Sequence, residues 1–183
     1  MGRWEPDAKG RLVVAALELY TGRGYEQTTV ADIAQRAGVT ERTFFRHFAD
    51  KREVLFDGSS ALQDLVVAAI TGAPAQLPPL DVVGAAMERA AELLEQRRPF
   101  AQQRASAIAA NPSLQERELL KLAALGSAAA AALRGRGVPE PDASLAAEAG
   151  VAVFKVAFER WIGDQPDFVA CVRSTLAHLK GLL

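Results

Sequence analysis

The sequence predicts an all-α protein of about nine helices, with a small N-terminal domain over residues 1–50 and a larger domain over residues 51–183. Half of the residues are hydrophobic but only 7% are aromatic, and Ala, the strongest helix former, is very frequent. Apolar residues recur at helical spacing between capping residues and Gly or Pro stops, and no segment alternates as a strand does. We therefore expect closely packed helices in both domains.

The first helix is predicted over residues 7–21, after a loose N-terminal arm of residues 1–6. Its buried face is expected at positions about one turn apart, namely Val13, Ala16, Leu17 and Tyr20. Gly22 and Gly24 are expected to end the helix, because Gly weakens helical structure. This helix would support the two short helices that follow it.

Two short helices separated by a tight turn are predicted between residues 28 and 51. Thr29 is expected to cap the first of them, with Asp32 completing a capping box three residues later. Gly38 follows the last turn of this helix, where a left-handed residue commonly closes a helix. Thr40 is then the predicted N-cap of the second helix. This spacing predicts a helix-turn-helix unit.

The second of these helices has one apolar and one polar face. Phe44 and Phe48 are one turn apart and are expected to point into the small domain. The opposite face carries short polar and basic side chains, namely Glu41, Arg42, Thr43, Arg46 and His47. Such a surface is typical of a helix that lies in the major groove of DNA. A helix-turn-helix also occurs as pure structure, so that alternative stays open at this point.

The charge distribution favours nucleic acid as the partner of this segment. The whole chain carries a formal net charge of −1, whereas residues 36–52 hold five basic and two acidic side chains. The rest of the chain is therefore acidic. Positive charge confined to one short segment is expected of a DNA-binding domain.

The run TVADIAQRAGVTERTFFRHFADK resembles the DNA-binding signature of the TetR family of bacterial repressors. The resemblance implies an N-terminal three-helix DNA-binding domain and a larger helical domain for ligand binding and dimerisation. Together, the polar face and the resemblance predict Thr29, Thr40, Glu41, Arg42, Thr43, Phe45, Arg46, His47 and Lys51 as DNA-contacting residues. Phe45 stands where the family often has Tyr, and it lacks the hydroxyl that the family's Tyr gives to a DNA phosphate.

Different roles are expected within this set. Arg42 and Arg46 are predicted to contact bases, because an Arg side chain can donate two hydrogen bonds to guanine. The family resemblance assigns Thr40, His47 and Lys51 to phosphates. Base contacts select a DNA sequence, whereas phosphate contacts position the protein on any sequence.

The second domain is predicted to contain six helices. They are expected at about residues 51–71, 81–96, 100–110, 112–134, 142–162 and 168–183. Asp50 is the predicted cap of the first of these, with Glu53 at the capping-box position. Gly58 in that helix is either a point of bending or a tolerated surface glycine. The family resemblance assigns this helix to the connection between the two domains.

Large apolar side chains interrupt an Ala-rich background in the second domain, a pattern that can leave a ligand cavity between helices. The candidate effector-binding residues are Leu62, Leu65, Val66, Phe100, Arg104, Ile108, Leu120, Phe154, Phe158 and Trp161. Arg104 either balances an anionic group of a ligand or faces solvent, and each apolar residue could instead belong to an ordinary core. The predicted effector is an apolar small molecule, because few polar groups are available to bind a polar one.

Two runs of the second domain, RASAIAANPSLQERELLKLAALGSAAAAAL and AAEAGVAVFKVAFERWIG, carry a further resemblance. They are similar to the C-terminal domain of actinobacterial TetR regulators related to the mycofactocin-associated repressor. The similarity rests on the NPSLQERE turn and the final FERW. It implies an acyl-coenzyme A or a similar lipid-derived molecule as the effector.

The last two helices are predicted to form a homodimer interface, because apolar residues occupy more than one side of each. The candidate interface residues are Val153, Val156, Ala157, Phe168, Val172, Leu176 and Leu179. A monomer in which all of these residues serve its own core is the alternative. A dimer would place one recognition helix on each half of a palindromic operator.

The residue types that carry enzyme chemistry are sparse and scattered. The two histidines, His47 and His178, and the single cysteine, Cys171, form no metal-binding or nucleophilic motif. We therefore predict no catalytic residue, metal or cofactor. The lone cysteine, the lack of an apolar run of about 18 residues and the lack of a signal-peptide pattern predict a cytoplasmic protein without a membrane partner.

These observations predict a ligand-responsive transcriptional repressor that an apolar small molecule releases from a palindromic operator. Two alternatives remain. A helical adaptor with a vestigial helix-turn-helix would have no specific operator. A small-molecule enzyme in the cavity of the second domain would need convergent titratable residues, which the sequence does not offer.

Overall fold

The computed structural model describes residues 7–182, and every regular element in that range is helical. The elements are α1 (Ala8–Arg23), α2 (Val30–Arg36), α3 (Glu41–His47), a 3-10 turn (Glu53–Phe56), α4 (Ser59–Thr71), α5 (Pro79–Glu95), α6 (Arg98–Ala109), α7 (Pro112–Gly135), α8 (Asp142–Gly163) and α9 (Phe168–Leu182). Within the described residues, the prediction of nine α-helices and no strand is confirmed. The predicted N-terminal arm, residues 1–6, lies outside this range.

Two compact units are present, and each takes residues from more than one part of the chain. Of the described residues, the first unit, which we call the head unit, contains 7–58 together with Gln102–Glu118. The second, the body unit, contains Ser59–Ala101 and residues 119–182. Helices α6 and α7 therefore each have one end in the head unit and the other in the body unit.

The core of the head unit forms where α1 packs against α2, α3 and the 3-10 turn. Leu12 and Phe44 are completely buried there, and Tyr20 is 4% exposed. The buried face of α1 begins at Leu12, whereas the prediction began it at Val13, which is only half-buried. Both choices keep helical spacing with Ala16 and Tyr20, so periodicity alone could not separate them.

The predicted continuous helix after Asp50 is wrong, because the chain forms a 3-10 turn, breaks at Gly58 and begins α4 at Ser59. Asp50 does not cap a long helix; it lies two residues before Arg52, the N-cap of the 3-10 turn. Its Oδ1 accepts the backbone N–H groups of Arg52 and Glu53 at 2.8 and 3.2 Å. Gly58 is followed by two serines, and the low helix propensity of this triplet accounts for the break.

Residues Glu53–Thr71 are long and apolar enough to cross a membrane by length and composition alone, with a mean hydropathy of 1.3. This finding corrects the expectation from the sequence that no apolar run reaches that length. In the fold, Leu55 and Phe56 are buried in the head unit, and Val66 and Ile70 are buried in the body unit. Of the apolar window, 28% is buried inside the fold, and one such segment is weak evidence of a membrane span.

The body unit is built around α5, which packs against α4, α8 and α9. Two glycines lie at its closest helix contacts. A Cβ atom added at Gly150 of α8 would lie 2.1 Å from Cγ1 of Val83 in α5. One added at Gly84 of α5 would lie 2.3 Å from Cδ2 of Leu176 in α9. The missing side chains let these helices approach closely enough to share one core.

Candidate nucleic-acid interface

The two short helices of the head unit are fixed by their own capping residues. Thr29 Oγ1 accepts the backbone N–H of Asp32 at 3.1 Å, and an Asp32 oxygen accepts the backbone N–H of Thr29 at 2.8 Å, which completes the predicted capping box. Hydrogen bonds from the Thr29 hydroxyl and N–H lower the pKa of Asp32. Thr40 caps α3 by accepting the backbone N–H of Thr43 at 3.2 Å. Gly38, with a φ of 68°, turns the chain between the two helices.

Helix α3 presents one face to the core of the head unit and another to solvent. Phe44 is completely buried and Phe48 is 5% exposed, with their ring centroids 5.6 Å apart. Phe45 is 56% exposed and contacts Phe44 edge-on at 5.4 Å. Arg42 and Arg46 are also exposed. The apolar and polar faces that the sequence predicts for α3 are therefore present in the fold.

The basic side chains of α3 have few contacts within the protein. Arg42 makes no hydrogen bond or ion pair with any of residues 7–182. Nη2 of Arg46 has a long contact of 3.5 Å with Nε2 of His47. The hydroxyls of Thr40 and Thr43 lie 3.1 Å apart. Guanidinium groups that are exposed and largely unpaired are available to bind phosphate oxygens or base edges.

Lys51, by contrast, is engaged inside the head unit. Its Nζ donates hydrogen bonds to the backbone carbonyl oxygens of Tyr25 and Thr28, both at 2.9 Å. The same nitrogen lies 4.1 Å from the centre of the Tyr25 ring. Thr29 is also occupied, by its capping hydrogen bonds with Asp32. The predicted DNA-contacting residues therefore divide into the exposed or half-buried side chains of α3 and three residues, Thr29, Thr40 and Lys51, that already make hydrogen bonds within the fold.

The segment of residues 102–118 adds polar contacts to the head unit that the spacing of the sequence does not indicate. Asn111 is 7% exposed and donates from Nδ2 to Oε1 of Glu26 at 2.9 Å. Arg117 forms an ion pair with Glu53. The Asn-Pro pair at the start of α7 predicts a helix cap, which Asn111 supplies, but nothing in the pair predicts a second partner far away in the chain.

The predicted effector-binding residues fall into both units. Leu62, Leu65, Val66, Phe100, Leu120, Phe154, Phe158 and Trp161 lie in the body unit, whereas Arg104 and Ile108 lie in the head unit. Arg104 is bound within the head unit, because its Nη2 lies 2.7 Å from Oε2 of Glu118. Leu120 is 54% exposed. The structure thus does not gather the whole set inside one unit.

The aromatic residues of α8 are brought together with Phe168 of α9. Trp161 is completely buried and stacks on Phe168, with ring centroids 4.6 Å apart and ring planes at 9°. Phe158 lies 5.8 Å from each of these rings, and Phe154 lies 5.3 Å from Phe168. Nε1 of Trp161 is buried and has no hydrogen-bond partner among the described residues. We call these four side chains the aromatic cluster; it combines apolar rings with one unused donor.

Other parts of the described chain offer little chemistry. No group of three or more potential metal ligands occurs among residues 7–182. Cys171 is buried, and burial raises the pKa of its thiol. A surface cleft of about 290 Å³ in the body unit contains Arg136. The guanidinium of Arg136 is already bound by backbone carbonyls, among them that of Ala73 at 2.7 Å.

Most of the predicted dimer residues are buried within their own body unit. Val153, Ala157, Phe168, Val172 and Leu176 are at most 9% exposed, and Leu179 packs against the same core. Val156 differs, with 46% of its surface exposed. Leu145 is 64% exposed and Ala152 is exposed as well, and their spacing places both on the same side of α8 as Val156. Leu145, Ala152 and Val156 thus form an exposed apolar strip on α8, beside the exposed charges of Glu148 and Glu159, and this strip is a candidate for a subunit contact.

Comparison with known proteins gives two matching sequence profiles. Residues 12–57 are similar to the bacterial regulatory proteins of the tetR family, and residues 77–183 are similar to the MftR C-terminal domain. The HTH-type transcriptional regulator TcmR of Streptomyces glaucescens is 44% identical over 78 residues, which are 43% of this chain and 34% of TcmR. The HTH-type transcriptional activator FasR of Mycolicibacterium smegmatis is 38% identical over 48 residues, which are 26% of this chain and 22% of FasR. The chain thus matches about a third or less of the length of these curated relatives.

Solved structures of similar fold cover nearly the whole chain. The repressor FadR of Thermus thermophilus, in complex with lauroyl-CoA, has a TM-score of 0.55 and 26% identity, covering 96% of this chain and 95% of its own. PfmR of the same species has a TM-score of 0.51 and 26% identity, covering 91% of this chain and 95% of its own. A regulator from Syntrophomonas wolfei has a TM-score of 0.69 at 16% identity, covering 96% and 94%, and shows similarity of fold alone.

Proposed function

Since the chain belongs to the TetR family of bacterial regulatory proteins, we propose that it is a ligand-responsive DNA-binding transcriptional regulator. In this proposal it binds a palindromic operator as a homodimer and represses transcription. An apolar small molecule binds to the body unit and releases the protein from the operator. The regulator acts in the cytoplasm, where its DNA target lies, and no residue has a catalytic role.

The exposed basic face of α3 is the observation that carries the DNA-binding part of the proposal. Phe44 and Phe48 fix the orientation of the helix by burial, and Thr40 fixes its first turn. Arg42 and Arg46 are then presented to solvent. A short helix held in this way can enter the major groove and place two guanidinium groups on base edges.

A homodimer is proposed because one α3 helix offers too few base contacts for a specific site. The exposed apolar side chains on α8, Leu145 and Val156, support a subunit contact through that face. The buried residues of α8 and α9 would then position this face by forming the protomer core beneath it. Two-fold symmetry would bring the same face of a second copy against it.

An acyl-coenzyme A or a similar lipid-derived molecule is the proposed effector. Two observations support it: residues 77–183 match the MftR C-terminal domain, and the similar FadR of Thermus thermophilus is described in complex with lauroyl-CoA. In this chain the aromatic cluster is the proposed contact, because it is apolar and Trp161 Nε1 lacks an acceptor that a ligand carbonyl could supply. We leave Arg104 out of the site, because Glu118 already binds its guanidinium.

Effector binding would reach the head unit through the helices that belong to both units. Residues Arg98–Ala101 of α6 lie in the body unit, whereas the rest of that helix lies in the head unit. An effector that favours one position of the body end of α6 would bias the head end as well. For the effector to release the protein, it must bind the DNA-free form more tightly than the operator-bound form. A coupling free energy of about 1–3 kcal/mol between the two sites would change operator affinity roughly 5–150-fold.

Selection of genomic DNA by the purified protein tests the DNA-binding part. We expect enrichment of one or a few palindromic sequences, which the full chain then binds far more tightly than random DNA. A helical adaptor with a vestigial head would enrich nothing, and that result would contradict the proposal. A reporter gene placed behind the selected operator tests repression directly, because loss of the regulator should raise its expression.

A release titration tests the effector part. Lauroyl-CoA, free fatty acids and apolar drugs are added to the protein–operator complex, and bound DNA is followed by fluorescence anisotropy. We expect an apolar compound to release wild type and to release Phe158→Trp less readily, because the larger ring fills space at the aromatic cluster. Leu93→Trp, on an exposed position of α5, is the matched control and should behave as wild type. The effector site is misplaced if no apolar compound releases DNA and Phe158→Trp changes neither stability nor release.

A further inference from the structure

The start of α6, the end of α8 and the start of α9 meet at one end of the body unit. Nη2 of Arg98, the first residue of α6, donates to the backbone carbonyl oxygen of Gly163, the last residue of α8, at 3.3 Å. Oε1 of Glu95 accepts the backbone N–H of Phe168, the first residue of α9, at 2.9 Å. Trp161 stacks on that Phe168 ring. These contacts bring Arg98 and Trp161 to the same end of the body unit.

Two nitrogen donors at this end are buried without an acceptor. Nε of Arg98 and Nε1 of Trp161 have no hydrogen-bond partner among the described residues. The Trp161 side chain is completely buried, so bulk solvent does not reach its indole N–H. A buried N–H without an acceptor is unfavourable, and native proteins pair nearly all such groups. Two unpaired donors at one end of a core therefore indicate an acceptor that is not part of residues 7–182.

Arg98 also carries a charge that forms no ion pair within residues 7–182. Glu95, three residues earlier, uses Oε1 to accept the N–H of Phe168. The adjacent Arg97 is exposed, whereas Arg98 is half-buried. A half-buried guanidinium without a counter-charge favours an anionic partner, and a carboxylate matches the fork of its N–H groups.

The aromatic cluster supplies apolar surface beside these donors. Trp161 is itself one of its four side chains, and Phe158 lies 5.8 Å from the rings of both Trp161 and Phe168. Phe158 is only half-buried, which leaves part of the cluster open to a ligand. A neutral carbonyl would satisfy the indole N–H, but only an anion would also balance the charge of Arg98.

We propose that Arg98 and Trp161 bind the carboxylate of an apolar carboxylic acid, and that this acid is the effector. The carboxylate accepts hydrogen bonds from Nε1 of Trp161 and from the guanidinium of Arg98, while the hydrocarbon part packs against the aromatic cluster. The proposal rests on the proposed function of the body unit. It narrows the lipid-derived effector to a free acid, because the thioester carbonyl of an acyl-coenzyme A is neutral.

A binding measurement without DNA tests the site. In a Trp4→Phe variant of the full chain, Trp161 is the only tryptophan, so its indole N–H gives one signal in a proton–nitrogen NMR spectrum. The probes are lauric acid, one branched acid and one aromatic acid, each with its methyl ester. We expect an acid to shift this signal downfield. The same acid should bind at least about 10-fold more tightly than its ester, the ratio for one hydrogen bond to a charged group.

Variants of Arg98 test the charge. Arg98→Gln should weaken binding of the acid about 10–150-fold and leave binding of its ester unchanged, because only the acid uses the charge. Arg97→Gln is the matched control. It removes the same charge from the adjacent, exposed position and should bind both probes as wild type does. Arg98→Lys keeps the charge without the planar fork, so it should retain part of the preference for the acid.

Trp161→Phe tests the indole donor, with binding measured by calorimetry. The variant keeps a ring in the aromatic cluster but removes Nε1. Because the acid and its ester share the same hydrocarbon, the loss of ring contact weakens both equally. The preference for the acid should also fall, since a hydrogen bond to a carboxylate is stronger than one to a neutral carbonyl. If Trp161→Phe does not fold, the Arg98 variants still decide the question.

Three results would overturn the carboxylate site. They are equal affinities of wild type for acids and esters, unchanged acid binding in Arg98→Gln, and failure of every acid to shift the Trp161 signal. The last result would leave a buried water molecule as the acceptor of the indole N–H.

Operator release by the same acids is measured separately. Release by an acid but not by its ester, with the difference lost in Arg98→Gln, supports both the site and the effector role. Acids that bind without releasing DNA would contradict the effector role and leave the carboxylate site in place. If wild type selects no operator, the proposed function fails, whereas the binding measurement still decides the site.

Discussion

Arg104 donates a hydrogen bond of 2.7 Å from Nε to the backbone carbonyl oxygen of Leu55, a residue 49 positions earlier in the chain. The same guanidinium pairs with Glu118 and lies 4.9 Å from the centre of the Phe56 ring. One side chain therefore joins α6, α7 and the 3-10 turn within the head unit. This arrangement makes the segment of residues 102–118 part of the DNA-binding unit.

Arg104→Ala should destabilise the head unit. The change leaves the Leu55 carbonyl and the Glu118 carboxylate without their partner, and the expected loss in the free energy of unfolding is about 1–3 kcal/mol. Arg89→Ala is the matched control, because its ion pair with Glu92 is exposed on α5 and should cost less than about 1 kcal/mol. Urea unfolding of both variants checks the difference. Equal losses would show that Arg104 contributes no more than a surface ion pair.

Gly150→Ala should destabilise the body unit by about 1–3 kcal/mol, because the new methyl group would overlap Val83 in a packed core. Gly163→Ala is the control, since nothing lies within 4 Å of a Cβ at that position, and it should be neutral or slightly stabilising. Thermal unfolding measures both effects. In the double variant Gly150→Ala with Val83→Ala, the overlap is relieved, so its loss should be smaller than the sum of the two single losses. A loss of stability in the double variant equal to the sum of the two single losses would contradict the close contact of α5 with α8.

Asp50→Asn tests the pH dependence of the head unit. Hydrogen bonds from the Arg52 side chain, opposed by burial, lower the pKa of the Asp50 carboxyl. The ionised Asp50 carboxylate contributes its full stabilisation of the folded state above the unfolded-state pKa of about 3.9. This stabilisation is lost as the pH falls through the lower pKa of the folded state. We therefore expect the thermal midpoint of wild type to fall more steeply below about pH 5 than that of Asp50→Asn. Parallel curves for the two proteins would show that the Asp50 carboxylate adds nothing to the acid sensitivity.

Val156→Glu should dissociate the proposed homodimer. It places a charge on the exposed apolar face of α8, and burial of an unpaired charge at a subunit contact is strongly unfavourable. Sedimentation velocity at micromolar concentration should show a dimer for wild type and a monomer for Val156→Glu. Leu120→Glu, on an exposed position of α7, should remain dimeric. A monomeric wild-type protein at this concentration would contradict the proposed homodimer.

The parts of the fold that short-range interactions determine were accessible from the sequence. The capping box of Thr29 and Asp32, the Thr40 cap and the inward faces of Phe44 and Phe48 depend on residues within one or two turns of each other. Local propensity and spacing therefore sufficed to place both short helices.

The parts that depend on distant partners were not accessible. The helical spacing of Val153 and Leu176 does not show whether they face their own core or a second subunit. In the structure, both side chains are buried in the protomer. The sequence also does not show that Nζ of Lys51 donates to two carbonyls of the loop between α1 and α2. Likewise, no sequence spacing connects Arg104 with Leu55. In each case the chain folds back and brings together groups that are far apart in the sequence.

The affinity of Arg42→Ala for the selected operator and for random DNA, measured at one salt concentration, tests the central claim most directly. Arg42 is exposed and makes no hydrogen bond or ion pair within residues 7–182, so its removal should not disturb the fold. We predict that wild type prefers its operator by about 1,000-fold or more, and that Arg42→Ala loses about 5–150-fold on the operator with a much smaller loss on random DNA. A wild type without operator preference, or an Arg42→Ala variant with equal losses on both DNAs, would contradict sequence-specific binding through α3.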